Sequence, residues 1–235
     1  MRKDYFRFGK VDSRAFNIGI YGNQLFDPPK RKYEEIEIPG RNGKLLIDEG
    51  TYENQKIPYD AYIIKNFAIN IDTFRNELLS QGGYQRLEDT IHPEEFRMAM
   101  ALPFAVDMKG VLKAGTFTIE FDAKPQRFLK SGEISREFQA SGIIYNPTRF
   151  GSKPLLRVYG SSAGTVGIGS QTITVSSVNE YVDIDCELMN AFKGAINCNG
   201  NVSFSGNIEI PSGRSGIAFT GGISRVIVTP RWYTI

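Results

Sequence analysis

From Leu155 to the end of the chain, apolar and polar residues alternate with a period of two. Leu156 and Val158 interleave with Leu155, Arg157 and Tyr159, and the same rhythm runs through Thr172–Ser176, Tyr181–Cys186, Asn201–Ser205, Asn207–Ile210 and Ser224–Thr229. Strict alternation places one set of side chains on a buried face and the other on a solvated one. Gly, Asn and Ser clusters separate the runs, so the pattern predicts a sandwich or jelly roll of about eight short strands. Gly160-Ser-Ser-Ala-Gly-Thr-Val-Gly-Ile-Gly169 reads as a loose hairpin connection, and Leu188–Phe192 is long enough for one helical turn. Before Ser131 the pattern is also β-rich. Glu35–Ile38 and Lys44–Ile47 form a predicted hairpin around Asn42-Gly43, a dipeptide suited to a two-residue turn with both φ positive. Tyr59–Ile71 is an extended apolar run. A helix of about ten residues is predicted from a cap at Asp72 or Thr73, with Phe74, Leu78 and Leu79 on one face and Gly82-Gly83 at its end. Phe117, Ile119 and Phe121 line one face of a further strand.

Composition divides the chain. Residues 1–130 carry 39 charged side chains and 10 glycines, whereas 131–235 carry 15 and 14. Such a shift predicts two domains, an N-terminal β domain over 1–130 and an all-β domain over 146–235, joined by a linker at 131–145. At 41% hydrophobic residues the chain can bury cores, and no stretch approaches the ~18 apolar residues of a membrane span. Charges in Met1–Phe8 argue against a signal peptide. A net charge of +2 provides no basic stripe for nucleic acid. The one basic run, Lys30-Arg31-Lys32, is followed by Glu34, Glu35 and Glu37.

Candidate chemistry is sparse. His92, the one histidine, sits in a turn-like Thr90-Ile-His-Pro without a nucleophile elbow, so neither a Ser-His-Asp nor a Cys-His site is assembled from the sequence. Gly160–Gly169 lacks the lysine of a phosphate-binding loop. Asp183 with Asp185, and Glu120 with Asp122, lie at i, i+2 on strands. They suit a glycosidase pair or calcium ligands, and suit solvated strand faces better. Cys186 and Cys198 read as buried thiols, a structural disulfide being the other state that two cysteines allow. Trp232 reads as packed rather than as a sugar platform. The sequence therefore predicts no catalytic set, cofactor or metal.

Ile38-Pro-Gly-Arg-Asn-Gly-Lys-Leu-Leu-Ile-Asp-Glu-Gly-Thr-Tyr-Glu-Asn54 resembles the signature of the distal tail protein (Dit) family of long-tailed phages, through Ile38, Pro39, Gly40, Arg41, Gly43, Asp48, Gly50, Tyr52 and Asn54. Tyr84–Asp89 with His92–Arg97, Phe117–Leu129, Asn146–Leu156 and Thr229–Tyr233 resemble further family segments in the same order. The length is that of the compact form, without an inserted carbohydrate-binding domain. The resemblance implies a mainly β protein with a ring-forming N-terminal domain carrying one short helix and a galectin-like C-terminal β-sandwich. It also implies a homohexameric ring at the distal end of a virion tail, assembled in the host cytoplasm. That ring docks on the major tail tube protein on one side and on a tail-associated lysin or baseplate hub on the other. The tape measure protein and DNA pass through its centre. Two other readings remain at this level. One is a carbohydrate-binding module that recognises host cell-wall saccharide through the sandwich, and the other is a glycan hydrolase using the paired carboxylates.

Overall fold

The structure, a computed structural model, describes residues 4–21, 28–63, 66–106 and 115–235. It divides into two units, Met1–Arg127 with Ile235, and Phe128–Thr234.

Unit 1 contains strands β1 (Phe6–Phe8), β2 (Val11–Asp12), β3 (Ile18–Ile20), β4 (Arg31–Glu37), β5 (Lys44–Tyr52), β6 (Gln55–Ile63), β7 (Gln85–Asp89), β8 (Glu95–Ala101) and β9 (Gly115–Ala123), and helix α1 (Phe67–Leu79). Seven of the strands form an antiparallel sheet in the order β2-β1-β7-β8-β9-β6-β3. The sheet curls until Asp4, just ahead of β1, bridges Ile20 of β3. Alternation fixes its inner face: Ile57, Tyr59, Ala61 and Ile63 of β6 and Phe117, Ile119, Phe121 and Ala123 of β9 all point into the core. Pro58 is tolerated within β6 because the β3 ladder covers only Ala61–Ile63 and, among the described residues, no strand pairs with Pro58 on that flank.

The helix starts earlier than the sequence suggests. Tyr59–Ile71 is not one extended run: β6 ends at Ile63 and α1 begins at Phe67, while Ile64 and Lys65 lie outside the described residues. Phe67, Ile71, Phe74 and Leu78 recur at helical spacing and are buried against the sheet. Asp72 and Thr73 lie inside the helix rather than at its cap, and the Thr73 hydroxyl donates back to the Ile69 carbonyl at 3.0 Å. Leu79, expected on the buried face, is exposed, and the helix stops at Ser80 rather than at Gly82-Gly83.

Unit 2 contains β10 (Arg127–Leu129), which enters it, followed by β11 (Arg136–Phe138), β12 (Gly142–Asn146), β13 (Leu155–Ile168), β14 (Gln171–Val175), β15 (Glu180–Asp185), β16 (Asn190–Lys193), β17 (Ile196–Asn197), β18 (Val202–Phe204), β19 (Gly213–Thr229) and β20 (Tyr233–Thr234). Its organiser is the long antiparallel ribbon of β13 and β19, which is folded over. The Leu155–Gly160 half of β13 pairs with β15, and the Gly164–Ile168 half pairs with β14. The two ends of β19 likewise take different neighbours, β12 at Gly213–Ile217 and β11 at Val226–Val228. Two layers result from one ribbon. Leu156, Val158, Val182, Ile184, Val226 and Val228 of one layer share a core with Ile144, Val166, Ile168, Ile173, Val175 and Ile217 of the other.

The fold in the ribbon corrects the reading of Gly160–Gly169 as a hairpin connection. This stretch is strand through Ile168, and its register shifts on either side of Gly160 mark the bend. Here backbone approaches backbone: a Cβ on Gly164 would lie 2.2 Å from the Thr220 carbonyl oxygen, and one on Gly221 2.5 Å from that of Ala163. Glycine is thus required by contact across the bend, and the stretch loses the hydrophobic rhythm that marks a strand. Two shorter expectations also change. Asn207–Ile210 forms only an isolated bridge, Ser152 to Ile210, and Leu188–Phe192 divides between a turn and the start of β16.

Candidate functional site

The segment carrying the family-like signature forms a feature of its own. Strands β4 and β5 make a separate two-stranded sheet that is not hydrogen-bonded into the main sheet of unit 1. Glu37 faces Lys44, Ile36 faces Leu45, Glu35 faces Leu46, Glu34 faces Ile47 and Tyr33 faces Asp48. Directly opposed residues share a face, as do residues two apart. One face therefore shows Ile36, Leu45 and Ile47, and the other mixes Tyr33 and Leu46 with a Lys44–Glu35 ion pair of 2.5 Å. Both are open to solvent, Leu46 being 55% exposed and Ile47 44%.

The tip differs from the two-residue turn expected at Asn42-Gly43. Six residues, Ile38–Gly43, connect the strands. Pro39 and Gly40 (φ +79°) occupy the centre of a β-turn closed by the Arg41 N–H donating to the Ile38 carbonyl at 3.1 Å. Proline first and a positive-φ glycine second is the type II arrangement. A two-residue turn would instead set Asp48 against Glu37, like charges opposed, and would draw Pro39 into a ladder it cannot serve. Arg41 and Gly43 are exposed at this tip.

At the base of the hairpin, signature residues meet one that the signature omits. Arg31 donates through Nε and Nη2 to the Asp48 carboxylate (3.0 and 2.5 Å) and through Nη1 to the Tyr52 hydroxyl (3.0 Å). Asp48 Oδ1 also accepts the Gly50 N–H at 2.8 Å. These donors hold the Asp48 carboxyl below its ordinary range, the Arg31 hydrogen bond contributing most. Asn54 anchors the exit strand, donating to the Tyr84 hydroxyl at 2.6 Å and to Asp122 at 3.2 Å. Asp48, Gly50, Tyr52 and Asn54 are thus brought together with Arg31, Tyr84 and Asp122, whereas Ile38–Gly43 lie at the opposite end. Arg31 stands 17 positions from Asp48, and only the ladder register, misjudged through the turn, could have paired them.

The other sequence candidates are engaged in holding the fold. His92 lies in the β7–β8 turn with Nδ1 3.3 Å from Asp89, whose carboxylate also accepts the Tyr59 hydroxyl and the His92 N–H, both at 2.6 Å. Asp183 and Asp185 are not on a solvated face: they are buried, and each is gripped by two nitrogens of its own arginine, Arg157 for Asp183 and Arg231 for Asp185, at 2.7–2.9 Å. Glu120 pairs with Lys56 at 2.8 Å. Among the described residues no cluster of three or more His, Cys, Asp or Glu is placed to hold a metal. Cys186 and Cys198 carry free thiols, and burial pushes that of Cys186 up to about 12. Trp232 is buried in the core of unit 2. Tyr159 and Tyr181, adjacent on the outer face of β13 and β15, carry the guanidinium carbons of Arg225 and Arg157 3.8 and 4.7 Å from their ring centres. Those cations occupy ring surface that a sugar would stack on.

The Asp185 pair sets a pH response. Burial raises this carboxyl, but the Arg231 bond and charge and the Leu188 and Glu187 N–H groups outweigh it, leaving the pKa below the usual 3.8. A carboxyl lowered in the folded state adds stability above its unfolded pKa and loses it as pH falls through the folded value. Arg231→Met is expected to cost about 2–3 kcal/mol at pH 7. That deficit should shrink between pH 5 and pH 3, as the unpaired carboxyl takes up a proton. Urea denaturation across that range checks it, and a deficit independent of pH would assign the loss to packing alone.

No family model matches the sequence, and no curated protein matches it. Solved structures do. The crystal structure of the phage SPP1 Dit protein, described as a paradigm of the hub adsorption apparatus in phages infecting Gram-positive bacteria, superposes with a TM-score of 0.76 over 100% of both chains at 13% identity. The chain has the fold of SPP1 Dit. Two structures of the phage P2 baseplate in its activated conformation also align, at 11% identity. The one with calcium gives a TM-score of 0.54 over 97% of each chain, and the one with strontium 0.51 over 95% of this chain and 97% of that one. The match to SPP1 Dit runs over the whole of this chain.

Proposed function

We propose that this protein is a non-enzymatic structural subunit of a phage tail tip, a virion component that joins the tail tube to the adsorption apparatus. The observation carrying this reading is the end-to-end match to SPP1 Dit in both directions. In this reading unit 1 builds a homohexameric ring with a central passage for DNA and the tape measure protein. One face of the ring meets the major tail tube protein and the other a tail-associated lysin or baseplate hub protein. Assembly takes place in the host cytoplasm.

The hairpin supports the ring. Two-stranded ribbons are marginal by themselves in water, free strand edges invite pairing, and exposed apolar faces mark interaction surfaces. Ile36, Leu45 and Ile47 form such a face on a ribbon whose edges are unpaired among the described residues. Its occupant in this reading is the neighbouring copy, and Arg41 at the tip reaches an acid there. Head-to-tail contacts of this kind close into a ring when the rotation between copies divides the circle. Light scattering on the full chain tests the proposal: the expected particle has six times the 26.3 kDa mass of one chain. A single-chain mass that persists in the presence of the tube protein would count against the ring. A glycan array would then test the saccharide-binding alternative.

A further inference from the structure

The hairpin leaves unit 1 through a defect in its own ladder. Beyond the defect, Tyr33–Glu37 pair in register with Asp48–Lys44, and before it Arg31 faces Tyr52. One residue, Lys32, separates these levels on β4, whereas three, Glu49, Gly50 and Thr51, separate them on β5. Surplus residues on one strand bend it and increase its twist. Gly50 sits within this bulge at φ +69°, where a side chain is strained. The ladder closes again below, the Glu53 N–H donating to the Lys30 carbonyl at 2.8 Å.

The groups closing over the bulge form a clasp. The Arg31 guanidinium spans Asp48 on the near side of the defect and Tyr52 on the far side, and Asp48 simultaneously holds the Gly50 N–H. One side chain thus ties both levels of the ladder to the conformation of the bulge. The clasp is solvent-exposed, with Arg31 at 40% and Asp48 at 42%. Exposed ion pairs add little to stability, so its contribution to holding the fold is small. Its consequence is geometric: a planar fork with several N–H groups engaged admits one arrangement, and a bulge without it admits many.

The geometry points to Arg31 as the positioning residue of the hairpin. By locking the bulge it fixes the direction in which the apolar face is presented, which makes it necessary for docking onto the next copy and dispensable for the fold of unit 1. This inference rests on the ring reading. It goes beyond that reading in assigning the control of assembly to a residue outside the contact surface and outside the signature.

The test uses Arg31→Ala and Arg31→Lys in the full chain, with two readouts. Amide hydrogen exchange under dilute conditions reports the hairpin, and light scattering against concentration reports assembly. For Arg31→Ala, amides of β4 and β5 should exchange at least about tenfold faster while those of β6 and β9 keep their wild-type rates. The assembly midpoint should rise by about tenfold or more, since each factor of ten is a modest change in contact free energy. Lysine, a point donor that cannot bridge Asp48 and Tyr52 as a fork, should restore neither. Hairpin exchange identical to wild type overturns the clasp, and so does an unchanged assembly midpoint in a variant whose hairpin exchanges faster. A wild-type chain that fails to assemble with the tube protein present as well as alone removes the ring reading together with the assembly half of this inference, and the exchange comparison then decides the clasp independently.

Discussion

The double substitution Leu45→Asp, Ile47→Asp is expected to abolish assembly while leaving the subunit folded. Both side chains stand on the exposed face of the β4–β5 ribbon, Leu45 opposite Ile36 and Ile47 opposite Glu34. In the free chain the new carboxylates are solvated, and the like-charge pair that Ile47→Asp makes with Glu34 costs no more than about 1 kcal/mol. In the ring they would be pressed against a neighbour without a cation to meet them. An uncompensated charge buried in this way costs about 3–5 kcal/mol, or a factor of about a hundred to a few thousand in affinity at about 1.4 kcal/mol per tenfold. Light scattering should return a single chain at concentrations where wild type assembles, and the melting curve should move by no more than a few degrees. Retained assembly would show that this face is not the contact surface.

The second large effect lies in the core. Phe121→Ala is expected to destabilise unit 1 by about 3–5 kcal/mol. Phe121 sits at the centre of an aromatic cluster, with ring centres 5.5 Å from Phe6, 5.0 Å from Phe8 and 5.8 Å from Tyr59. Its neighbours come from two other strands of the curled sheet, β1 and β6, so no single side-chain movement can refill the space. Urea denaturation followed by far-ultraviolet circular dichroism measures the loss. A change below about 1 kcal/mol would mean that the site collapses around the gap, and that the aromatic cluster is not what holds the sheet in its curl.

These two sites differ in how far the sequence discloses them. Phe117, Ile119 and Phe121 are visible as a buried face because alternation records burial directly, and the same rule finds Thr172–Val175. Where burial is not what shapes the chain, the signal fails. Gly160–Gly164 belongs to a strand whose form is set by contact between backbones, so its side chains carry no rhythm. Phe67–Ile71 has apolar residues at a spacing compatible with either period, and the capping preference of Asp72 pulls the helix start too far along the chain. The charged residues are the least legible. Asp183 and Asp185 look like solvated strand positions until the register brings Arg157 opposite one and the chain end brings Arg231 to the other.

The candidate site shows the same division. The signature from Ile38 to Asn54 marks the hairpin as a unit, and the Pro39-Gly40 turn is legible in retrospect from turn chemistry alone. The clasp is not, because it depends on a ladder four residues out of step with the one that Asn42-Gly43 suggests. The register sets Glu37 opposite Lys44, and Arg31 reaches Asp48 across the bulge; neither pairing appears until the strands lie side by side.

The central claim, that this chain is a ring-forming subunit of a phage tail tip, is tested most directly by negative-stain electron microscopy of the full chain, alone and mixed with the tail tube protein. The account predicts six-fold particles with an open centre, stacked on tube ends when the tube protein is present. Single-chain particles under both conditions, with tube ends left bare, would contradict it.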